Sequence, residues 1–204
     1  MTEFYSAEIT GKSYAKLIEL RRELDFVLIG GWAIYLHTKA LKSKDIDIVV
    51  DYPTLFELKQ KYGLSKNDFL KKYEIKLEYF DIDIYVPAFS KLAVSPKDIL
   101  ANYTLIEGIK VVEPEILLLL KQGAYSERKH STKGKKDALD IALILLHTEL
   151  DFKKYDKWAK DATSQRRQLK EILSALKDQD VRYLNMSRQE FVKKRKEIIA
   201  KLQR

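Results

Sequence analysis

The 204-residue chain contains no cysteine, which excludes a disulfide framework and any thiolate metal site. Its three histidines, His37, His130 and His147, are too scattered for a zinc centre and read as ordinary helix or loop positions. Seven glycines and four prolines are few, and no Ser/Gly/Pro tract or internal repeat marks a flexible linker or a solenoid. Long hydrophobic runs are also missing. Stretches such as Ile116 to Leu120 are far too short to span a bilayer, and the N-terminal MTEFYSAEIT lacks the apolar centre of a signal peptide. The expectation is a soluble cytoplasmic protein with no membrane partner.

What the chain does hold is 46% hydrophobic and 11% aromatic residues, enough for one good core or one core with a smaller helical annex. The formal net charge of +8 is confined to the last third. Residues 151–204 carry 16 Lys/Arg against 8 Asp/Glu, whereas residues 1–150 carry 22 of each. Runs such as SQRRQ and KKRKEIIAKLQR read equally as a phosphate-facing surface or as a solvated helical face.

Periodicity predicts a helix over Ser13 to Leu24, then a short buried strand, Phe26 to Ile29, ended by Gly30 and Gly31. Trp32 to Lys39 suits a helix, so the glycines fall at a strand-to-helix junction. DIDIVVD, Asp45 to Asp51, alternates as a strand with one polar face, and Pro53 opens a helix through Lys61. A second strand region alternates from Glu74 to Val86 and carries a second Asp-Ile-Asp. A hairpin is expected near Gly108, followed by a helix from Pro114. Further helices are expected over Lys135 to His147, Phe152 to Lys177 and Ser187 to Leu202. The fold class is therefore α/β of the α+β kind, a small mixed sheet flanked by helices. Residues 1–110 are expected to form that core and residues 111–204 a C-terminal helical domain.

Side chains two apart on a strand share a face, so Asp45 and Asp47 project together and repel unless a cation sits between them. Hard oxygen ligands at that spacing suit Mg²⁺, which completes its shell with water and phosphate oxygens. Glycines at the corner let backbone amides approach an anion, and the following helix N-terminus favours negative charge. With a third carboxylate from a neighbouring strand, Asp81 or Asp83, this describes a two-metal phosphoryl-transfer site. On a helix, Lys136 and Asp140 face one way, suiting a cation that grips phosphates and an acid that orients it. As an alternative they form a surface ion pair. Trp32 could stack on a base, although packing at the helix start is the better expectation. Arg166 and Arg167 are candidate RNA contacts without the interleaved aromatics that bind single strands.

GGWA, 11 residues, then DIDIVV resembles the nucleotidyltransferase superfamily, with its Gly-Gly or Gly-Ser turn followed by an Asp-x-Asp strand. More narrowly, GGWAIYLHTKALKSKDIDIVV is similar to the AbiEii-type, toxin-like branch, in which a basic residue and Ser or Thr precede Asp-x-Asp. Lys42 and Ser43 occupy those places, with Lys42 where Arg is usual. EPEILLLLKQGAYSERKHSTKGKKDALDIALIL is similar to that branch's helical segment, and Lys121, Arg128, Lys136, Asp137 and Asp140 match in order. The likeness covers roughly Phe26 to Leu146 and leaves the last third unmatched.

The resemblance implies catalytic and metal-binding roles for Asp45, Asp47 and Asp83, which would hold two Mg²⁺ ions, with Asp83 beside the acceptor hydroxyl. Asp83 is preferred to Asp81 because IDIYVP resembles the family's strand, where apolar residues follow the acid. Gly30, Gly31, Lys42, Ser43, Lys121, Lys136, Asp137 and Asp140 would bind the nucleotide. The implied activity is transfer of a nucleoside monophosphate from a nucleoside triphosphate to an acceptor hydroxyl, with tRNA or another RNA as acceptor, as the toxin of a toxin-antitoxin pair with a cognate antitoxin as partner. Two alternatives use the same core: a catalytically silent binding or regulatory module, and an enzyme acting on a small molecule.

Overall fold

A computed structural model describes residues 5–203. Helix α1, Ala7–Glu23, starts a full turn and more before the expected Ser13 because Ser6 caps it, its Oγ accepting from the Ile9 amide. Strand β1, Val27–Ile29, runs directly into helix α2, Gly30–Thr38, and β2, Ile46–Val49, follows. Asp51 caps α3, Tyr52–Lys61, with Pro53 in its first turn.

The stretch expected as one alternating strand region is two antiparallel strands. They are β4, Lys72–Lys76, and β5, Asp81–Tyr85, turned by a bond from the Leu77 amide to the Phe80 carbonyl. Polar and apolar residues alternate on both sides of this turn, and the adjacent Tyr79 and Phe80, which shift the pattern by one residue, are its mark in the sequence. A short polar strand, β3, Ser65–Asn67, pairs with β4 and carries no apolar signal of its own. Ser95 and Pro96 start helix α4, Pro96–Ala101. The hairpin at Gly108 joins β6, Tyr103–Ile106, to β7, Ile109–Val112.

These strands form one mixed sheet in the order β3-β4-β5-β2-β1-β7-β6. At its centre β2 runs parallel to β5 and antiparallel to β1, and β1 runs parallel to β7. Ile46, Ile48, Ile82 and Ile84 are fully buried, which leaves the aspartates of both Asp-Ile-Asp segments on the other face.

Helices α5, Pro114–Arg128, and α6, Thr132–His147, pack against each other, and α2 packs on both as well as on β1 and β2. Every residue from Leu139 to Leu146 on α6 is buried, the pattern of a helix surrounded by others. The helix expected over Phe152 to Lys177 is interrupted. It forms α7, Phe152–Trp158, and α8, Ala162–Ala175, because Asp161 caps a new start through the Ser164 amide. A 3₁₀ turn, Asp178–Tyr183, leads to α9, Arg188–Leu202, opened by a reciprocal Ser187/Glu190 capping box. Among the described residues, no helix is long and apolar enough to cross a membrane.

Gln122 ties these helices together. Buried on α5, it accepts from the Tyr155 hydroxyl of α7 and donates to the Gln165 carbonyl and Gln168 Oε1 of α8. Gln122→Ala strands the buried Tyr155 hydroxyl and is expected to cost about 2–3 kcal/mol, read as a lower urea midpoint at unchanged slope.

Candidate functional site

Strand register builds the first wall of the site. In the parallel β2–β5 pair Asp47 lies opposite Asp83, and in the antiparallel β4–β5 pair Glu74 lies opposite Asp83. Three carboxylates therefore stand in a rank across adjacent strands, about 5 Å apart from one strand to the next. Lys72, two residues before Glu74 and on its face, donates to Asp83 Oδ2 at 2.6 Å and pairs with Glu74 at 2.9 Å. The other Asp83 oxygen, Oδ1, is buried without a hydrogen-bond partner. Asp45 sits just ahead of β2; its Oδ1 accepts from the Asp81 amide at 3.1 Å, and Lys44 approaches to 3.7 Å.

Burial, then the neighbouring Asp83 charge, pushes the Asp47 carboxyl up to about 7 from its ordinary 3.8, with Lys121 pulling the other way. Burial also raises Asp83, against the opposing bond from Lys72. Tyr85, on the face of Asp83, is raised by burial and then by Asp47 and Asp83.

The glycine corner has a reason within the chain itself. A Cβ on Gly30 would stand 2.1 Å from Asp47 Oδ2, and Gly30 has a φ of +69°, a conformation that favours glycine. A Cβ on Gly31 would meet Ser43 Oγ at 2.4 Å and approach Lys136 Nζ to 3.8 Å. The corner is thus where the carboxylate wall, the buried Ser43 and the helical wall converge. Helix α2 starts there without a side-chain cap.

The second wall comes from α5 and α6. Asp137 and Asp140 are almost fully buried. Arg128 grips Asp137 through Nε and a second nitrogen at 2.7 and 3.0 Å; Lys121 reaches Asp140 at 2.7 Å, and Lys136 reaches the same oxygen at 3.2 Å. Burial works against the charge on Asp140, but Lys121 and then Lys136 outweigh it and hold the carboxyl below its usual range. Burial likewise opposes the charge on Lys121, while Asp140 and Asp137 hold its proton on more tightly. Three cations thus face two carboxylates, leaving one positive charge in surplus beside the corner.

Gly30, Gly31, Ser43, Asp45, Asp47, Asp83, Lys121, Lys136, Asp137 and Asp140 accordingly gather around one corner of the sheet. Lys42 is on the loop leading into β2, next to Ser43. Arg166 and Arg167 lie on α8. Arg166 is engaged by Asp156 at 2.8 Å and by the Phe152 ring, and Arg167 is exposed beside Glu171, so none of these contacts reaches the cleft. Trp32 is buried, donates to Ser13 Oγ at 2.9 Å and packs between Tyr14 and Tyr35. His37 and His147 each bond a backbone carbonyl.

Three cleft residues escape the sequence reading. Lys72 and Glu74 belong to no recognisable motif, and only the β4–β5 register sets them beside Asp83. Tyr5 is partly buried, and its hydroxyl is raised by burial and then by the Asp45 and Asp140 charges.

The fit to a divalent cation is specific in extent. Asp47 and the unpartnered Asp83 Oδ1 offer adjacent hard oxygens that suit one such ion. Among the described residues, no group of three acidic or histidine side chains is gathered closely enough to hold one. Asp45 is engaged at the Asp81 amide and Asp83 Oδ2 by Lys72.

No protein-family model matches the chain, and no curated protein matches it. The fold is similar to the crystal structure of an antigenic nucleotidyltransferase-like protein from Paracoccidioides brasiliensis. The two share 17% identity at a TM-score of 0.46, over 85% of this chain and 95% of the other.

Two outcomes follow from the Asp47 environment. The folded chain keeps the Asp47 proton up to about 7, while the unfolded chain releases it near 3.8, so folded stability falls as pH rises through that window and stays lowered above it. Asp47→Asn removes this penalty. Urea melts should show the variant more stable than wild type by about 2–4 kcal/mol at pH 8 and nearly equal at pH 4. Gly30→Ala is expected to cost about 3 kcal/mol, with about 1 kcal/mol or more regained when Asp47→Ala is added, since the Cβ then has room.

Proposed function

We propose that the chain is a nucleotidyltransferase that moves a nucleoside monophosphate from a nucleoside triphosphate to an acceptor hydroxyl. The observation that carries this reading is the pairing of Asp47 with Asp83 on adjacent parallel strands, beside a glycine corner that also adjoins the Lys121/Lys136 wall. One wall is rich in carboxylates and the other has cationic surplus, the charge pattern that suits a polyphosphate carried with a divalent cation.

The triphosphate lies between the walls in this reading. The uncapped N-terminus of α2 and the ammonium groups of Lys136 and Lys121 take its phosphate oxygens, and Asp137 and Asp140 keep those cations in place. Mg²⁺ held by Asp47 and Asp83, with Asp45 nearby, would neutralise charge building on the transferring phosphoryl group. The acceptor oxygen forms a bond to the α-phosphorus while the bond to the pyrophosphate oxygen breaks, and pyrophosphate leaves with that electron pair. Asp83, which stands beside the acceptor hydroxyl in this reading, helps remove its proton.

RNA, such as a tRNA end, is the proposed acceptor, supported by the basic surplus of residues 151–204 and by the exposed Lys193 and Lys196 of α9. The AbiEii-type resemblance adds a toxin role with an antitoxin partner to the same proposal. One observation favours a second reading, a nucleotide-binding module without turnover: Lys72 already bridges Asp83.

Incubation with Mg²⁺, α-labelled nucleoside triphosphates and total RNA separates the two. Wild type is expected to label RNA, and Asp47→Asn and Asp83→Asn each to lower labelling on the order of 10²-fold or more with the circular dichroism spectrum unchanged. Labelling that survives both substitutions removes this site from the chemistry, and nucleotide binding without labelling by wild type supports the silent module. RNA affinity should fall steeply between 50 and 200 mM salt, on the order of tenfold or more if a few phosphates are contacted.

A further inference from the structure

Lys72 is the least exposed lysine of the sheet among the described residues. It projects from the first residue of β4, and its side chain is only 12% exposed. Its ammonium touches Asp83 Oδ2 at 2.6 Å and Glu74 Oε1 at 2.9 Å, both on side chains no more than 15% exposed. Asn67 of β3 donates to the same Glu74 oxygen at 3.2 Å, so the acid that helps hold Lys72 is itself held. Burial works against the charge on Lys72, but its bonds to Asp83 and Glu74 outweigh that and hold the proton on more tightly. In a surface ion pair both side chains keep rotational freedom and water competes for them. Here the strand register fixes both carboxylates, and the lysine sits in a socket.

An ammonium at hydrogen-bond distance from a carboxylate oxygen excludes a divalent ion from that oxygen, because two positive charges would share one ligand within a few ångströms. Asp83 therefore has one oxygen committed to a cation that belongs to the chain and one, Oδ1, still without a partner. Glu74, whose charge could otherwise help recruit an ion to Asp83, is occupied by the same ammonium. Asp45 turns its Oδ1 to the Asp81 amide, so Asp47 and the unpartnered Asp83 Oδ1 are the oxygens that register sets side by side for an ion.

We infer that Lys72 is a built-in cation of the site, its ammonium standing where a second divalent ion would bind Asp83, so that the chain takes up its nucleoside triphosphate with one divalent cation instead of two. This inference rests on the nucleotidyltransferase reading and narrows it. Lys72 is a positioning residue: it holds Asp83 and Glu74 and sets how many ions the rank of carboxylates admits.

The test counts ions. Full-length protein, saturated with a non-hydrolysable nucleoside triphosphate, is titrated with Mn²⁺, and bound ion is read from the loss of the free-Mn²⁺ electron paramagnetic resonance signal. Wild type and Lys72→Arg are expected to bind one Mn²⁺ per chain, and Lys72→Met two. Should Lys72→Met fail to fold with Asp83 and Glu74 unneutralised, Lys72→Met/Glu74→Gln relieves that repulsion and is likewise expected to bind two. Two ions on wild type, or one on every folded Lys72→Met form, overturns the inference and leaves the nucleotidyltransferase reading standing. No nucleotide-dependent ion uptake by any form overturns both.

Discussion

The site depends on two carboxylates held side by side by strand register. Asp47 and Asp83 are neighbours because β2 and β5 run parallel with Asp47 opposite Asp83, and a slip of one residue would turn one aspartate to the isoleucine face. Burying such a pair is unfavourable, and the surroundings answer that cost locally. Gly30 leaves the space in which the Asp47 carboxylate sits, Lys72 neutralises one oxygen of Asp83, and Lys121 pulls against the upward shift of Asp47. Each of these residues meets the cost of one buried carboxylate at short range.

The helical wall follows the opposite rule. There the buried groups are the acids, Asp137 and Asp140, and the cations around them keep their proximity to the cleft. Helix α6 can hold two carboxylates below the surface because α5, packed along it, supplies Lys121 and Arg128, and because Lys136 lies one turn before Asp140. The two walls are thus complementary in sign and are brought to one edge by α2, which packs on β1, β2, α5 and α6.

Much of this is legible in the sequence, and the exceptions have physical causes. The alternation of DIDIVVD and DIDIY reports a sheet with one polar face, and the glycine pair after an apolar run reports a tight junction. Both signals are local, and the structure has both features. The break at 77–80, by contrast, shows only as the adjacent Tyr79 and Phe80, with no glycine or proline, and β3, Ser-Lys-Asn, forms because β4 offers it a ladder. The interruption at Asp161 comes from a cap with no glycine or proline to mark it. The basic character of the last third is plain from composition, but not that Arg166 spends its charge on Asp156. Lys72 is the clearest case. Nothing near it in the chain singles it out among many lysines; its importance comes from Asp83, on the neighbouring strand and eleven residues away.

The shared carboxylates of α6 also constrain how the sequence can change. Asp140 holds Lys121 and Lys136 on a single oxygen, and Asp137 holds Arg128 through both of its own. Losing either acid would leave stranded cations, and losing the cations would leave an uncompensated anion in the interior. Mutational drift through these five positions must therefore proceed by joint replacement, which ties the two helices to a common evolutionary pace.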